Sequence, residues 1–323
     1  MDADRRRATL SRIVATAAAL ITLVILGAAL PSYFVGLLTE ALILALFAMS
    51  LDLLLGYTGL ASLGHAAYFG TGAYVAGLLT VKLGVSWELA SLAALGSSVL
   101  VAAIYGLLTL RTTGVYFLMI TLALAQILWA IAFRWNRVTG GDDGLPGIGR
   151  PDLGLSWFSL LNNENYFYFV LAIVTVSAIA MYVIVRSPFG LALQGIRESE
   201  SRMAALGHNP WLVKYLVFLI SGFFAGLAGV LYGYFKGFVN PDALSVVMSA
   251  EVLLMVILGG AGTLVGPFIG ALVIVLLSNL ISAFTDRWVL ILGLIYVLVV
   301  LLAPNGLVGL VRSWFGAASG SSK

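Results

Sequence analysis

The sequence predicts an all-α protein, a polytopic transmembrane helical bundle of about ten spans with both termini cytoplasmic. Three observations lead there. The 323 residues are 61% hydrophobic and only 10% charged, where a soluble domain carries about 25% charged residues. Apolar runs of about 20 residues, each able to cross roughly 30 Å of hydrocarbon, recur along the chain. Basic residues are divided unequally between alternate connections, as the positive-inside rule requires.

Taken in order, Arg5, Arg6, Arg7 and Arg12 precede an apolar run at residues 13–30. A cleaved signal peptide has the same order of features, but this run is long for such a core and reads as the first span. Further spans are expected at residues 35–55, 60–81, 89–110 and 115–133. A polar segment, 134–165, leads to a span at 166–185. A second polar segment, 186–210, leads to spans at 211–235, 243–258, 264–284 and 288–303. Residues 1–12 and 311–323 are expected as cytoplasmic tails of a transmembrane domain at 13–310. Counted from a cytoplasmic start, Arg5, Arg6, Arg7, Arg12, Arg111, Arg186, Arg197, Arg202, Lys214, Arg312 and Lys323 fall inside. Lys82, Arg134, Arg137, Arg150, Lys236 and Arg287 fall outside. The segment 134–165, mildly acidic through Asp142, Asp143, Asp152 and Glu164, is then an external loop, and 186–210 a cytoplasmic one.

The third span is unlike the others. Residues 56–79 read GYTGLASLGHAAYFGTGAYVAGLL, with Gly56, Gly59, Gly64, Gly70, Gly72 and Gly77 beside Thr58, Ser62 and His65. Glycine costs roughly 1 kcal/mol against alanine in a helix, and a bare polar group in hydrocarbon costs several. Such a stretch belongs inside protein or along a wet path. A second cluster, LGGAGTLVGPFIGA at 258–271, repeats the pattern: Gly262, Thr263, Gly266 and Gly270 echo Gly59, Ser62, Gly64 and Gly70. Paired breaks of this kind point to a midplane site in transporters. Close helix contact through small residues accounts for Gly266 and Gly270 equally well.

The cytoplasmic segment, RSPFGLALQGIRESESRMAALGHN at 186–209, alternates apolar positions with Arg197, Glu198, Glu200 and Arg202. One or two short amphipathic helices are expected there, with Gly207 as a stop. The mixed charge suits a protein partner better than anionic lipid, which prefers an unmixed basic face.

No engine is encoded. There is no cysteine, hence no disulfide or thiolate site, and His65 and His208 are too few and too far apart for a histidine metal site. No P-loop and no G-x-S-x-G elbow occurs. Ser62 and His65 have no neighbouring acid to orient the imidazole, which argues against a hydrolase. Glu40, Asp52 and Glu251 fall within spans without an intramembrane basic partner, a thin relay for an ion-coupled carrier.

GYTGLASLGHAAYFGTGAY resembles the hallmark of the inner-membrane permeases of branched-chain amino-acid ABC importers. The external RWNRVTGGDDGLPGI at 134–148 is similar too, and its TGG-x-x-GL core at 139–145 resembles the M-type more than the H-type permease. RESESRMAALGHN, GGAGTLVGPFIGA and APNGLVGL at 303–310 match in the expected order. The resemblance covers about residues 35–310. It implies a multi-pass subunit of the bacterial inner membrane that needs no cofactor of its own. Its implied partners are a second permease, two cytosolic ATP-binding subunits that use the ATP, and a periplasmic substrate-binding protein; nucleic acid has no place in such an assembly. It implies no catalytic and no metal residues, and a substrate path along Gly59, Ser62, Gly64, His65, Gly70, Thr71, Gly72, Gln126, Gly262, Thr263 and Gly266. Gln126 stands where relatives often carry an acid. Contact with the ATPases is implied for Arg197, Glu198, Glu200, Ala204 and Gly207. Urea and short-amide permeases share these motifs and remain alternative substrate classes, and an ion-coupled secondary transporter is the alternative mechanism.

Overall fold

In a computed structural model, residues 21–154 and 159–285 are described, together with scattered residues between 287 and 309. Helical residues 21–29 lead into ten labelled helices: α1 (Ser32–Thr58), α2 (Ala66–Leu83), α3 (Trp87–Thr109), α4 (Val115–Arg134), α5 (Asn163–Arg186), α6 (Pro188–Glu198), α7 (Glu200–Ala205), α8 (Pro210–Lys236), α9 (Val246–Gly259) and α10 (Val265–Ser282). The all-α, polytopic expectation holds. Among the described residues, six helices are long and apolar enough to cross a membrane: α1, α3, α4, α5, α8 and α10. They coincide with six of the expected spans.

Two expected spans differ for local reasons. The third begins at Ala66 rather than Leu60, because the chain leaves α1 through a left-handed Gly59 (φ 77°). The Leu60 amide bonds the Leu54 carbonyl and the Gly59 amide the Leu55 carbonyl, a left-handed stop that glycine enters at no steric cost. The eighth is α9, only 14 residues, or about 21 Å at 1.5 Å per residue, short of a full crossing. It is entered through a 3-10 turn at Pro241–Leu244. Most of the expected first span, the tenth span, the arginine cluster and the 303–310 motif lie outside the described residues.

α1 is apolar on every side and sits at the centre: 83% of its core window is buried, against 22% for α4. A helix hydrophobic all round needs neighbours all round, and α5, α8, α9 and α10 supply them. Side-chain ties sort the helix ends. Asn163 at the start of α5 donates to Ser32 at the start of α1 (2.8 Å), and Tyr33 donates to Asn279 near the end of α10 (2.8 Å). Lys236 at the end of α8 pairs with Glu40 at 2.8 Å. Thus α1 and α5 run one way, and α8 and α10 the other, as the expected alternation requires.

The segment after α4 is ordered by its glycines. Gly140, Gly141 and Gly144 all have positive φ, and a Cβ on Gly144 would meet the Val239 carbonyl and Asn240. The approach lets β1 (Leu145–Pro146) pair antiparallel with β2 (Phe238–Val239) just after α8. Lys82 at the end of α2 donates to the Arg137 carbonyl, and the Trp87 indole to that of Asp152.

Candidate functional site

The glycines of α2 are contacts between helices. A Cβ at Gly72 would meet the Gly226 backbone of α8, one at Gly64 the Thr121 carbonyl of α4, and one at Gly70 Leu244 and the Ala243 carbonyl. From the facing side, Gly229 meets the Phe69 carbonyl, and Gly222 and Gly226 meet Ala102 and Ser98 of α3. Ser98 donates to the Tyr68 carbonyl at 3.0 Å. The chain uses these residues to bring three backbones together.

The break between α1 and α2 is held by side chains from two other helices, α4 and α9. The Leu63 amide donates to the Thr121 hydroxyl (3.3 Å) and the first amide of α2, Ala66, to the Ser249 hydroxyl of α9 (3.0 Å). Ser62 turns back to accept from the Gly64 amide (3.2 Å). His65 is fully buried, stacked on Phe47 (ring centroids 5.3 Å apart) and edge-on to Tyr68. The Ser50 hydroxyl donates its one proton to the Phe47 carbonyl (2.6 Å), so His65 Nε2–H donates to Ser50 Oγ (2.8 Å). Nδ1 has no partner, and a bare lone pair is a cheaper orphan than an N–H. Ser50→Ala is therefore expected to strand the imidazole N–H and lower stability by about 1–3 kcal/mol. Thermal unfolding in detergent reads this, and an unchanged midpoint would mean that the histidine is held otherwise.

Of the residues expected on a path, Ser62, Gly64, His65, Gly70, Gly72 and Gly266 are thus buried within the chain. Gly59 is exposed, and Thr71, Gln126, Gly262 and Thr263 are half-buried. Thr71 lines an apolar groove of about 160 Å³ between α2 and α4, with Tyr74, Leu78, Leu128, Trp135 and Leu244 among its other walls.

The two glycine clusters meet at Asp52, fully buried in α1. Its carboxylate accepts from the Gly262 amide (2.7 Å) and from the Leu264 amide (3.1 Å). The loop it holds is bent through Gly260, Gly262 and Leu264, all at positive φ. For Leu264 that conformation is costly and needs outside support. Thr263 closes the loop, donating to the Gly260 carbonyl (2.8 Å) and accepting from the Gly266 amide (2.9 Å). One turn along α1, the Arg197 guanidinium of α6 donates to the Gly56 carbonyl. Gly56 has no room for a Cβ, which would meet Asp52 and the Gly262 backbone. Sequence reading missed this junction. It placed Asp52 and Glu40 among acids without an intramembrane basic partner; Asp52 is satisfied instead by two backbone amides of a distant loop, and Glu40 by Lys236 at the end of α8.

In the 186–210 segment the two expected amphipathic helices are α6 and α7, and Gly207 turns the chain at φ 88°. The inner face of α6, through Leu193 and Ile196, is buried. Ser199 caps α7, and Glu200 pairs with Lys214 of α8 at 2.5 Å. Arg197, Glu198, Glu200, Ala204 and Gly207 are exposed, and Leu206 adjoins them with 75% of its surface open.

The family described as "branched-chain amino acid transport system / permease component" matches residues 33–302, the whole of this architecture from α1 onward. The chain belongs to that family. It is 30% identical to the high-affinity branched-chain amino acid transport system permease protein LivM of Salmonella typhimurium, over 90% of the chain and 73% of the relative. Identity to LivM of Escherichia coli is 29%, over 94% and 77%. The permease protein LivH of Salmonella typhimurium is 27% identical, over 82% and 91%. No solved structure matches the chain. Membership makes the chain a multi-pass transport permease component and not an enzyme, in line with the absence of a nucleotide-binding or hydrolase motif. The match along both LivM and LivH agrees with a system that contains more than one permease.

Proposed function

We propose that the chain is the M-type permease subunit of an ATP-binding-cassette importer for branched-chain or related hydrophobic amino acids in a bacterial inner membrane. It forms the path with a second permease, receives substrate from a periplasmic binding protein and is driven by two cytosolic ATPases. The observation that carries this reading is the family match over residues 33–302 with LivM similarity over nearly the whole chain. With the expected first and tenth spans, and with the Pro241–Leu244 turn and α9 together making one crossing, the chain crosses ten times with both termini cytoplasmic. α6 and α7 then face the cytosol, where exposed Glu198, Ala204, Leu206 and Gly207 contact an ATPase.

The groove beside Thr71 supports the substrate class. Its walls are aliphatic and aromatic with a few hydroxyls, chemistry that accepts a branched side chain while the binding protein supplies the tight selection. Thr71, Gln126 and Thr263 are the side chains of the expected path with surface left to offer, beside the open glycines Gly59 and Gly262. Their buried neighbours Ser62, His65, Gly64, Gly70, Gly72 and Gly266 shape it from behind.

Uptake of leucine, isoleucine and valine into vesicles holding the complete assembly is expected to require ATP inside and the binding protein outside. A urea arm tests the alternative substrate class. Uptake driven by a proton or sodium gradient without ATP would replace the importer with a secondary carrier, and a complex whose ATPase ignores substrate would reduce it to a scaffold.

A further inference from the structure

We propose that Arg197 and Asp52 are positioning residues that fasten α6 to the end of α1 and to the 260–264 loop, so that the three move as one body. The inference rests on the proposed importer function and adds to it the place where displacement of the cytosolic helices enters the membrane domain.

Four observations converge there. Arg197 lies in the last turn of α6 and donates across 141 positions of sequence to the Gly56 carbonyl. Its side chain also lies along Gly59 and Gly262: ideal Cβ atoms on those glycines would be 3.3 Å from Arg197 Cγ and 3.3 Å from Nη1. Two glycines of two separate segments thus clear the space that the Arg197 side chain uses. Asp52 supplies the other half, gripping the 260–264 loop through both carboxylate oxygens. That loop joins α9 to α10, and the Gly56–Gly59 end of α1 leads into the break before α2. One arginine and one aspartate therefore connect α6 to the starts of α2 and α10. The second tie of this segment, Glu200 to Lys214, goes to α8 instead. A push on α6 and α7 is divided between two routes, and the Arg197 route is the one that leads to the 260–264 loop.

The geometry permits a covalent replacement. An ideal Cβ on Gly59 lies 4.0 Å from Arg197 Cβ, within the usual range of about 3.5–4.5 Å for a disulfide. The chain has no cysteine of its own. The experiment uses Gly59→Cys with Arg197→Cys in the complete assembly in vesicles and reads substrate moved per ATP hydrolysed. Reduced, the variant is expected to hydrolyse ATP but to transport about tenfold less per ATP. Oxidised, it should recover to within about threefold of the unmodified complex, because the cross-link restores the fastening although the arginine is gone. A merely structural role for Arg197 would not be mended by oxidation. Normal coupling in the reduced variant, or a formed disulfide with coupling still low, overturns the proposal. Should the pair fail to assemble, Asp52→Asn decides: it keeps the shape but turns one acceptor into a donor facing an amide N–H. It is expected to lose coupling several-fold, and unchanged coupling overturns the proposal. Absence of ATP-driven uptake in the unmodified complex would instead overturn the importer reading itself.

Discussion

Glu200→Lys is expected to lower ATP-driven uptake at least about tenfold while the protein still inserts into the membrane. Lys214 is nearly inaccessible (7% of its side chain exposed), and Glu200 is its ion-pair partner, at 2.5 Å. Reversal leaves a buried ammonium facing a second cation. Removing one partner of a fully buried pair costs about 3–5 kcal/mol. The Glu200 side chain is 49% exposed, so solvent screens part of this, and about 1–3 kcal/mol is the reasonable figure. That exceeds what a six-residue helix such as α7 has to hold it against α8. Uptake should return when Lys214→Glu is added, because the swap restores the pair. If the single variant transports normally, or the swap fails to rescue a folded protein, the pair does not position α7.

Gly72→Ala should destabilise the chain by about 1–3 kcal/mol, and Gly72→Leu should prevent folding. Two effects compete at any helical glycine. Alanine gains about 1 kcal/mol of helix propensity, and a new methyl has to find space. At Gly72 it meets the Gly226 carbonyl and Cα, which cannot rotate away, so sterics win. At Gly96, in α3, a Cβ has nothing within 4 Å, so propensity wins and Gly96→Ala should stabilise by up to about 1 kcal/mol. Unfolding midpoints of the purified chain in detergent compare the two. Equal shifts would show that the α2–α8 contact is looser than its geometry.

The helix order, the stop at Gly207 and the amphipathic pair before α8 were legible in the sequence, because each is written within a few residues: an apolar run, a left-handed glycine, a proline at the first helical position. The anomaly at residues 56–79 was legible as composition, but its use was not. Nothing local distinguishes a glycine that opens a path from one that admits a neighbouring backbone. Gly72 is decided by Gly226, more than 150 positions away, and His65 by Ser50 and Phe47 on another helix. Asp52 read as a stray acid because its partners are backbone amides of a distant loop, and amides carry no signature in sequence. The short α9 read as a full span because an apolar run does not say how much of it is helix. The β1–β2 pairing is too brief, at two residues per strand, to impose any alternation.

The stacking of Gly72 and Gly229 against bare backbone, and of Gly222 and Gly226 against the short side chains of Ala102 and Ser98, has a consequence for how this domain can work at all. Surfaces in atomic register, with no long side chains between them, cannot slide, since a small displacement would drive carbonyls into one another. α2, α3 and α8 are therefore a single stiff wedge, and any cycle of opening must pivot around it. α4, the least enclosed of the long helices, is left as the compliant part. In deuterium labelling the wedge would stay dark long after α4 had exchanged.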